Sequence, residues 1–186
     1  MTSTSPKPYR ELLEGLRSPS KDSQNRAFEG LLKATEKPVA WAYELWDDLL
    51  LTMRDGDNRQ RSIAAQVLSN LAKSDPKHRM SKDLVALLRV TKDEHFVTAR
   101  HCLQSLWKVG VVGEPQRNAL LKGLVLRFEE CASEKNCTLI RYDILVVLRR
   151  VYDLISDQKI RATAERLMAT EQDPKYRTKY ATVWRK

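Results

Sequence analysis

The sequence predicts an all-α protein, a solenoid of about five antiparallel helix pairs with no sheet. Three observations carry that expectation. Apolar residues recur at helical spacing almost throughout, and nothing alternates with period two for long. Only six Gly and seven Pro occur in 186 residues, and most fall between the apolar segments, where they punctuate helices. Five segments open on an acid and continue as a helix, at Asp22, Asp57, Asp93, Glu134 and Asp173. They are separated by roughly 35–41 residues, the length that two antiparallel helices require.

Taken in order, Met1–Pro8 reads as a flexible lead and residues 9–186 as a single helical repeat domain. Val39, Ala42, Leu45, Trp46, Leu49 and Met53 form one helical stripe, and Ile63, Val67, Leu68 and Leu71 the next. Leu84, Leu87 and Leu88 follow, then Phe96, Ala99, Leu103 and Leu106. The approximate units are Tyr9–Glu36, Pro38–Ser74, Ser81–Gly110, Glu114–Asp153 and Leu154–Lys186.

Each acid reads as an N-cap, because a carboxylate accepts from the unpaired N–H groups of a first turn. Gly56 suits the stop before Asp57, and Pro174 suits the first helical position after Asp173. After Asp57 come Arg61, Ala64, Ala65, Leu68 and Leu71. The small residues let two helices approach closely, and the larger ones fill the layer between units. Arginines beside capping acids form a ladder between units, so Arg61 reads as structural rather than as a ligand site.

The stretch Asp57-Asn-Arg-Gln-Arg-Ser-Ile-Ala-Ala-Gln-Val-Leu-Ser-Asn-Leu-Ala72 resembles the second helix of a HEAT (armadillo-like) repeat, with its Asp, its Arg and its Ala-Ala-x-x-Leu core. Elsewhere Glu134 replaces the Asp, and Val97 stands where the third unit would carry the Arg. The resemblance implies a right-handed solenoid with first helices on the convex face and second helices lining the concave face. It also implies a binding scaffold.

Composition narrows the function. Apolar residues at 42% and charged residues at 31% fit a globular or repeat protein rather than a disordered one. The net charge of +9 suits an acidic partner. Three cysteines, Cys102, Cys131 and Cys137, have no disulfide-framework spacing. With no signal-peptide shape and no apolar run that spans a bilayer, the expected location is cytoplasmic, with nuclear as the alternative. No Gly-rich phosphate loop, His-x-x-x-His pair or zinc-like cysteine spacing occurs, so no cofactor and no metal are expected. Trp46-Asp47-Asp48 is the one enzyme-like cluster, and it reads as a core Trp beside solvated acids.

The leading function is therefore a non-enzymatic scaffold that binds a protein partner through its second-helix surface. Its candidate contacts are Arg59, Arg100, His101, Lys108, Arg141, Arg149 and Arg150. The alternative is a nucleic-acid-binding module. HEAT-like alkylpurine DNA glycosylases offer the comparison, and the sequence resembles them in repeat architecture and basic charge. Its candidate contacts lie at the C-terminal end: Lys175, Tyr176, Lys179, Tyr180 and Lys186. Tyr176, Tyr180 and Trp184 share one helix face there. The bland reading of that face is packing on the preceding unit. A third class, an accessory to a cofactor-modifying enzyme, has no residue that supports it.

Overall fold

The computed structural model describes residues 8–185. The chain folds into helices α1 (Pro8–Leu16), α2 (Lys21–Ala34), α3 (Ala42–Asp55), α4 (Asn58–Leu71), α5 (Met80–Val90), α6 (Phe96–Ser105), α7 (Trp107–Gly110), α8 (Glu114–Glu130), α9 (Cys137–Ile155), α10 (Gln158–Ala169) and α11 (Pro174–Trp184). Single 3₁₀ turns follow α4 and α8, at Ala72–Ser74 and Cys131–Ser133. No strand occurs among the described residues. Of the lead expected over Met1–Pro8, residues 1–7 lie outside the described residues, and Pro8 opens α1.

Packing follows two rules. Sequence neighbours lie together: α1 on α2, α3 on α4, α5 on α6, α8 on α9, and α10 between α9 and α11. Alternate helices also touch. One run of contacts passes through α2, α4, α6, α9 and α11, the other through α3, α5, α8 and α10. The helix α1 joins the second run by side chains. Tyr9 stacks on Trp41 with ring centroids 4.4 Å apart, and Arg17 reaches Asp48 at 2.9 Å.

The apolar stripes explain why. Leu45, Trp46 and Leu49 of α3 are fully buried, as are Ala64, Ala65, Val67, Leu68 and Leu71 of α4. Two adjacent alanines on α4 let the neighbouring backbones close in, while the large side chains fill the space between layers. Buried apolar residues from Tyr9 to Tyr180 form one connected cluster. The indole of Trp46 lies within it and donates to Asp83 Oδ2 at 2.8 Å, while Asp47 and Asp48 pair with Arg79 and Arg17.

The five acids divide. Asp57 caps α4 in a reciprocal box with Gln60, its Oδ1 accepting from the Gln60 backbone N–H at 2.8 Å. Asp173 caps α11 in front of Pro174, accepting from Lys175 N at 2.8 Å. The other three do not cap, which corrects the sequence expectation. Ser20 caps α2, and Asp22 sits in its first turn. Asp93 precedes α6 by a short turn, accepts from His95 N and takes Arg61. Glu134 precedes α9 and takes the buried Arg127 in a two-point pair at 2.6 and 2.8 Å. In both cases an arginine from another helix claims the carboxylate, and a charge-assisted pair outweighs one first-turn bond.

Two more acids cap without having been foreseen. Asp157 opens α10, and Asp75 accepts from the N–H groups of both Arg79 and Met80 at the start of α5. At Gly56, a Cβ would come within 2.6 Å of the Thr52 carbonyl, so the close turn between α3 and α4 needs glycine.

Candidate functional site

The run α2, α4, α6, α9, α11 carries the arginines singled out from sequence, and the structure sorts them into two groups. In the first, each arginine is spent on the next helix. Arg61 of α4 holds Asp93 with Nε and Nη2 at 2.6 and 2.9 Å. Arg100 of α6 holds Asp143 of α9 at 2.6 and 2.9 Å, and that carboxylate is only 3% exposed. Arg141 of α9 holds Glu171, just before α11, at 3.0 Å. These pairs form a ladder along the run. Arg100 and Arg141, expected as partner contacts, are rungs of it. Arg149 is also engaged: its Nε reaches Asp153 at 2.7 Å, and its guanidinium lies over the Trp184 ring.

The pKa directions agree with the geometry. Burial raises the Asp93 carboxyl, but the Arg61 hydrogen bond, the His95 backbone N–H and the charges of Arg61 and His95 outweigh it. The net effect holds Asp93 below the usual carboxylate range.

The second group lines an open groove. Two adjoining depressions, of about 230 and 280 Å³, share Gln66 and His101. The first is walled by Phe28 of α2, Arg59 and Ile63 of α4, and Val97 of α6. The second is walled by Gln104, Trp107, Lys108 and Arg150, from α6, α7 and α9. No residue lining either depression is an acid. Val97 is 63% exposed and gives the first depression an apolar lip. Arg59 touches Asn25, while its buried Nε has no partner. His101 Nδ1 lies 3.3 Å from Ser62 Oγ.

In the second depression, the Arg150 guanidinium lies over the Trp107 ring, 3.9 Å from its centroid. Lys108 is half-buried and forms no ion pair among the described residues. Burial, then the nearby charges of Lys73 and Arg150, lowers its pKa from the ordinary lysine value. Lys73 sits on the turn after α4, which packs on α7, and its Nζ donates to the Glu36 carbonyl at 2.9 Å. Neither Lys73 nor Trp107 was expected from sequence. The first lies in a turn, and the second reads as one more core aromatic.

At the C-terminal end the aromatic face of α11 turns inward. Tyr180 is 0% exposed and its hydroxyl donates to the Thr138 carbonyl at 3.0 Å, so it presents no ring to a base. Tyr176 is partly buried beside it, and Trp184 tilts against Tyr152. Lys175 and Lys179 are exposed, with their ammonium groups over Tyr176 and Tyr142. Lys186 lies outside the described residues.

A larger cleft of about 630 Å³ opens between α3 and α5, with Leu50, Leu51, Met53 and Ala86 along its floor. Its charged rim is largely self-paired, Arg61 with Asp93, Arg54 with Asp55 and Lys92 with Glu130. Among the described residues, no cluster of three or more His, Cys, Asp or Glu could hold a metal ion. No described helix is long and apolar enough to cross a membrane. The chain matches no protein-family model and no curated protein.

Proposed function

We propose that this chain is a non-enzymatic HEAT-type scaffold, a right-handed solenoid of five helix pairs, that binds an acidic segment of a protein partner along its second-helix, concave surface. The observation that carries the reading is the acid-free groove across α2, α4, α6, α7 and α9, with Arg59, His101, Lys108 and Arg150 along it. Cations left without carboxylates attract an acidic partner, and the Phe28, Ile63 and Val97 end adds apolar contact. The pairwise contacts of sequence neighbours and of alternate helices support the repeat reading. The location that goes with it is cytoplasmic.

Nucleic acid is the second reading, favoured by the exposed Lys175 and Lys179 on α11. A duplex needs a track of unpaired cations, and along this run Arg61, Arg100 and Arg141 already hold acids. That favours the protein partner.

The test is capture from native lysate, with and without nuclease. Three baits are compared: wild type, an Arg59→Gln/Lys108→Gln/Arg150→Gln variant, and a Lys175→Gln/Lys179→Gln variant. The scaffold reading expects one protein retained by wild type and by the α11 variant and lost from the groove variant. Capture that nuclease abolishes, or that survives the groove substitutions, overturns it.

A further inference from the structure

We infer that the depression holding Lys108 and Arg150 is a binding site for a phosphate monoester, presented as a phosphorylated serine or threonine of the protein partner. The inference rests on the scaffold reading for its partner, but the site itself stands on geometry.

Lys108 of α7 and Arg150 of α9 line one depression, and Lys73, on the turn after α4 that packs on α7, acts on Lys108 through its charge. Among the described residues none of the three forms an ion pair. Arg150 lies over the Trp107 ring, and no hydrogen bond among the described residues uses its N–H groups. A guanidinium of this kind is ready for two-point contact with an oxyanion. Lys108 is half-buried, and that burial disfavours its charged form. Lys73 uses one donor on Glu36 and keeps two. Asp143 of α9 is reached by Gln104 from the same wall, but it is buried under Arg100. In the unliganded protein the cluster is thus self-repelling, and the depressed pKa of Lys108 is consistent with that.

The charge count selects the ligand. One carboxylate would neutralise a single cation. A phosphate monoester carries roughly −1.5 to −2 at neutral pH with three acceptor oxygens, which matches the two cations that line this depression. A phosphodiester carries one charge per unit and arrives as a row. Arg100 and Arg141, on the same run of helices, are closed by Asp143 and Glu171, and the depression itself presents two unpaired cations rather than a row.

The test is an NMR titration of the whole chain with inorganic phosphate and with O-phosphoserine at constant ionic strength, with acetate as the control anion. Saturable shifts are expected at the Trp107 indole N–H and at Lys108, together with a rise in the Lys108 pKa on phosphate binding. That rise requires no variant. Arg150→Gln and Lys108→Met, checked for an otherwise unchanged spectrum, should each weaken phosphate binding by about tenfold, and Lys73→Gln by less. Shifts that do not saturate, that acetate reproduces, or that persist in both variants overturn the site. Tighter binding of a single-stranded oligonucleotide than of O-phosphoserine at the same residues also overturns it, in favour of a nucleic-acid track. The titration contains no partner, so its failure leaves the lysate capture standing. Loss of capture specificity with phosphate binding intact overturns only the scaffold reading.

Discussion

Arg100 and Arg150 lie on the same run of helices, yet they serve opposite ends. Arg100 is committed to Asp143, a carboxylate that among the described residues is satisfied by this guanidinium and Gln104. Arg150 meets an indole face and, among the described residues, no acid. The same contrast separates Arg61 and Arg141 from Lys108 and Lys73. Where the next helix offers a buried acid, the cation becomes part of the fold. Where it offers an aromatic ring or a carbonyl, the charge remains available to a ligand. A basic residue on a helical face is therefore assigned by what its neighbouring helix places opposite it.

Several substitutions break or sharpen that contrast. The apolar layer sets the scale. Leu68 is fully buried within it, so Leu68→Ala should cost about 2–5 kcal/mol in urea unfolding, from lost transfer energy and the cavity left behind. A variant that melts with wild type would mean that the layer, and not only the ladder, has been misplaced. Arg100→Met should cost about 3 kcal/mol by the same measurement, because it strands the Asp143 carboxylate away from water. An unchanged midpoint would move Arg100 into the ligand-binding group.

Acid should act on the ladder and spare the groove. The Asp93 carboxyl has its folded pKa lowered, so its contribution is fully present above the unfolded value of about 3.9. That contribution is lost as pH falls through the folded value. Unfolding free energy should therefore drop on acidification below about pH 4, and the drop should be smaller in Asp93→Asn. A slope identical in the two proteins would remove Asp93 from the ladder's pH dependence. The smallest of these effects is at a cap. Asp57→Ala should cost about 1 kcal/mol, since Asp57 holds a first-turn N–H and no arginine. A loss as large as that of Arg100→Met would show that Asp57 is tied to more than its own helix.

The helical stripes were legible because burial follows a period of 3.6, and Leu45, Leu49, Leu68 and Leu71 all point inward as spaced. Asp57 and Asp173 were legible as caps because their partners lie two or three residues on. Asp93 and Glu134 were not, because their partners come from other helices, Arg61 32 residues before Asp93 and Arg127 on the helix before Glu134. Asp75 was missed because Pro76 beside it reads as a break. In the candidate site, Lys108 and Arg150 were visible as exposed-face cations. Lys73 and the supporting ring of Trp107 were not, since their proximity depends on the turn after α4 packing against α7. The aromatic face of α11 was visible as a face, and only the packing on α9 decides that it is covered.

The contrast comes down to Lys108. It is half-buried, unpaired and close to two other cations, so the folded protein gains nothing from its charge. The direct measurement is the urea unfolding free energy of Lys108→Met beside that of Arg100→Met, in phosphate-free buffer. Lys108→Met is expected to be as stable as wild type or more so, because a repelled, partly dehydrated ammonium has been replaced by an apolar group. A loss of more than about 1 kcal/mol, comparable with a broken salt bridge, would mean that Lys108 is a structural cation and would contradict the division of the surface into ladder and groove.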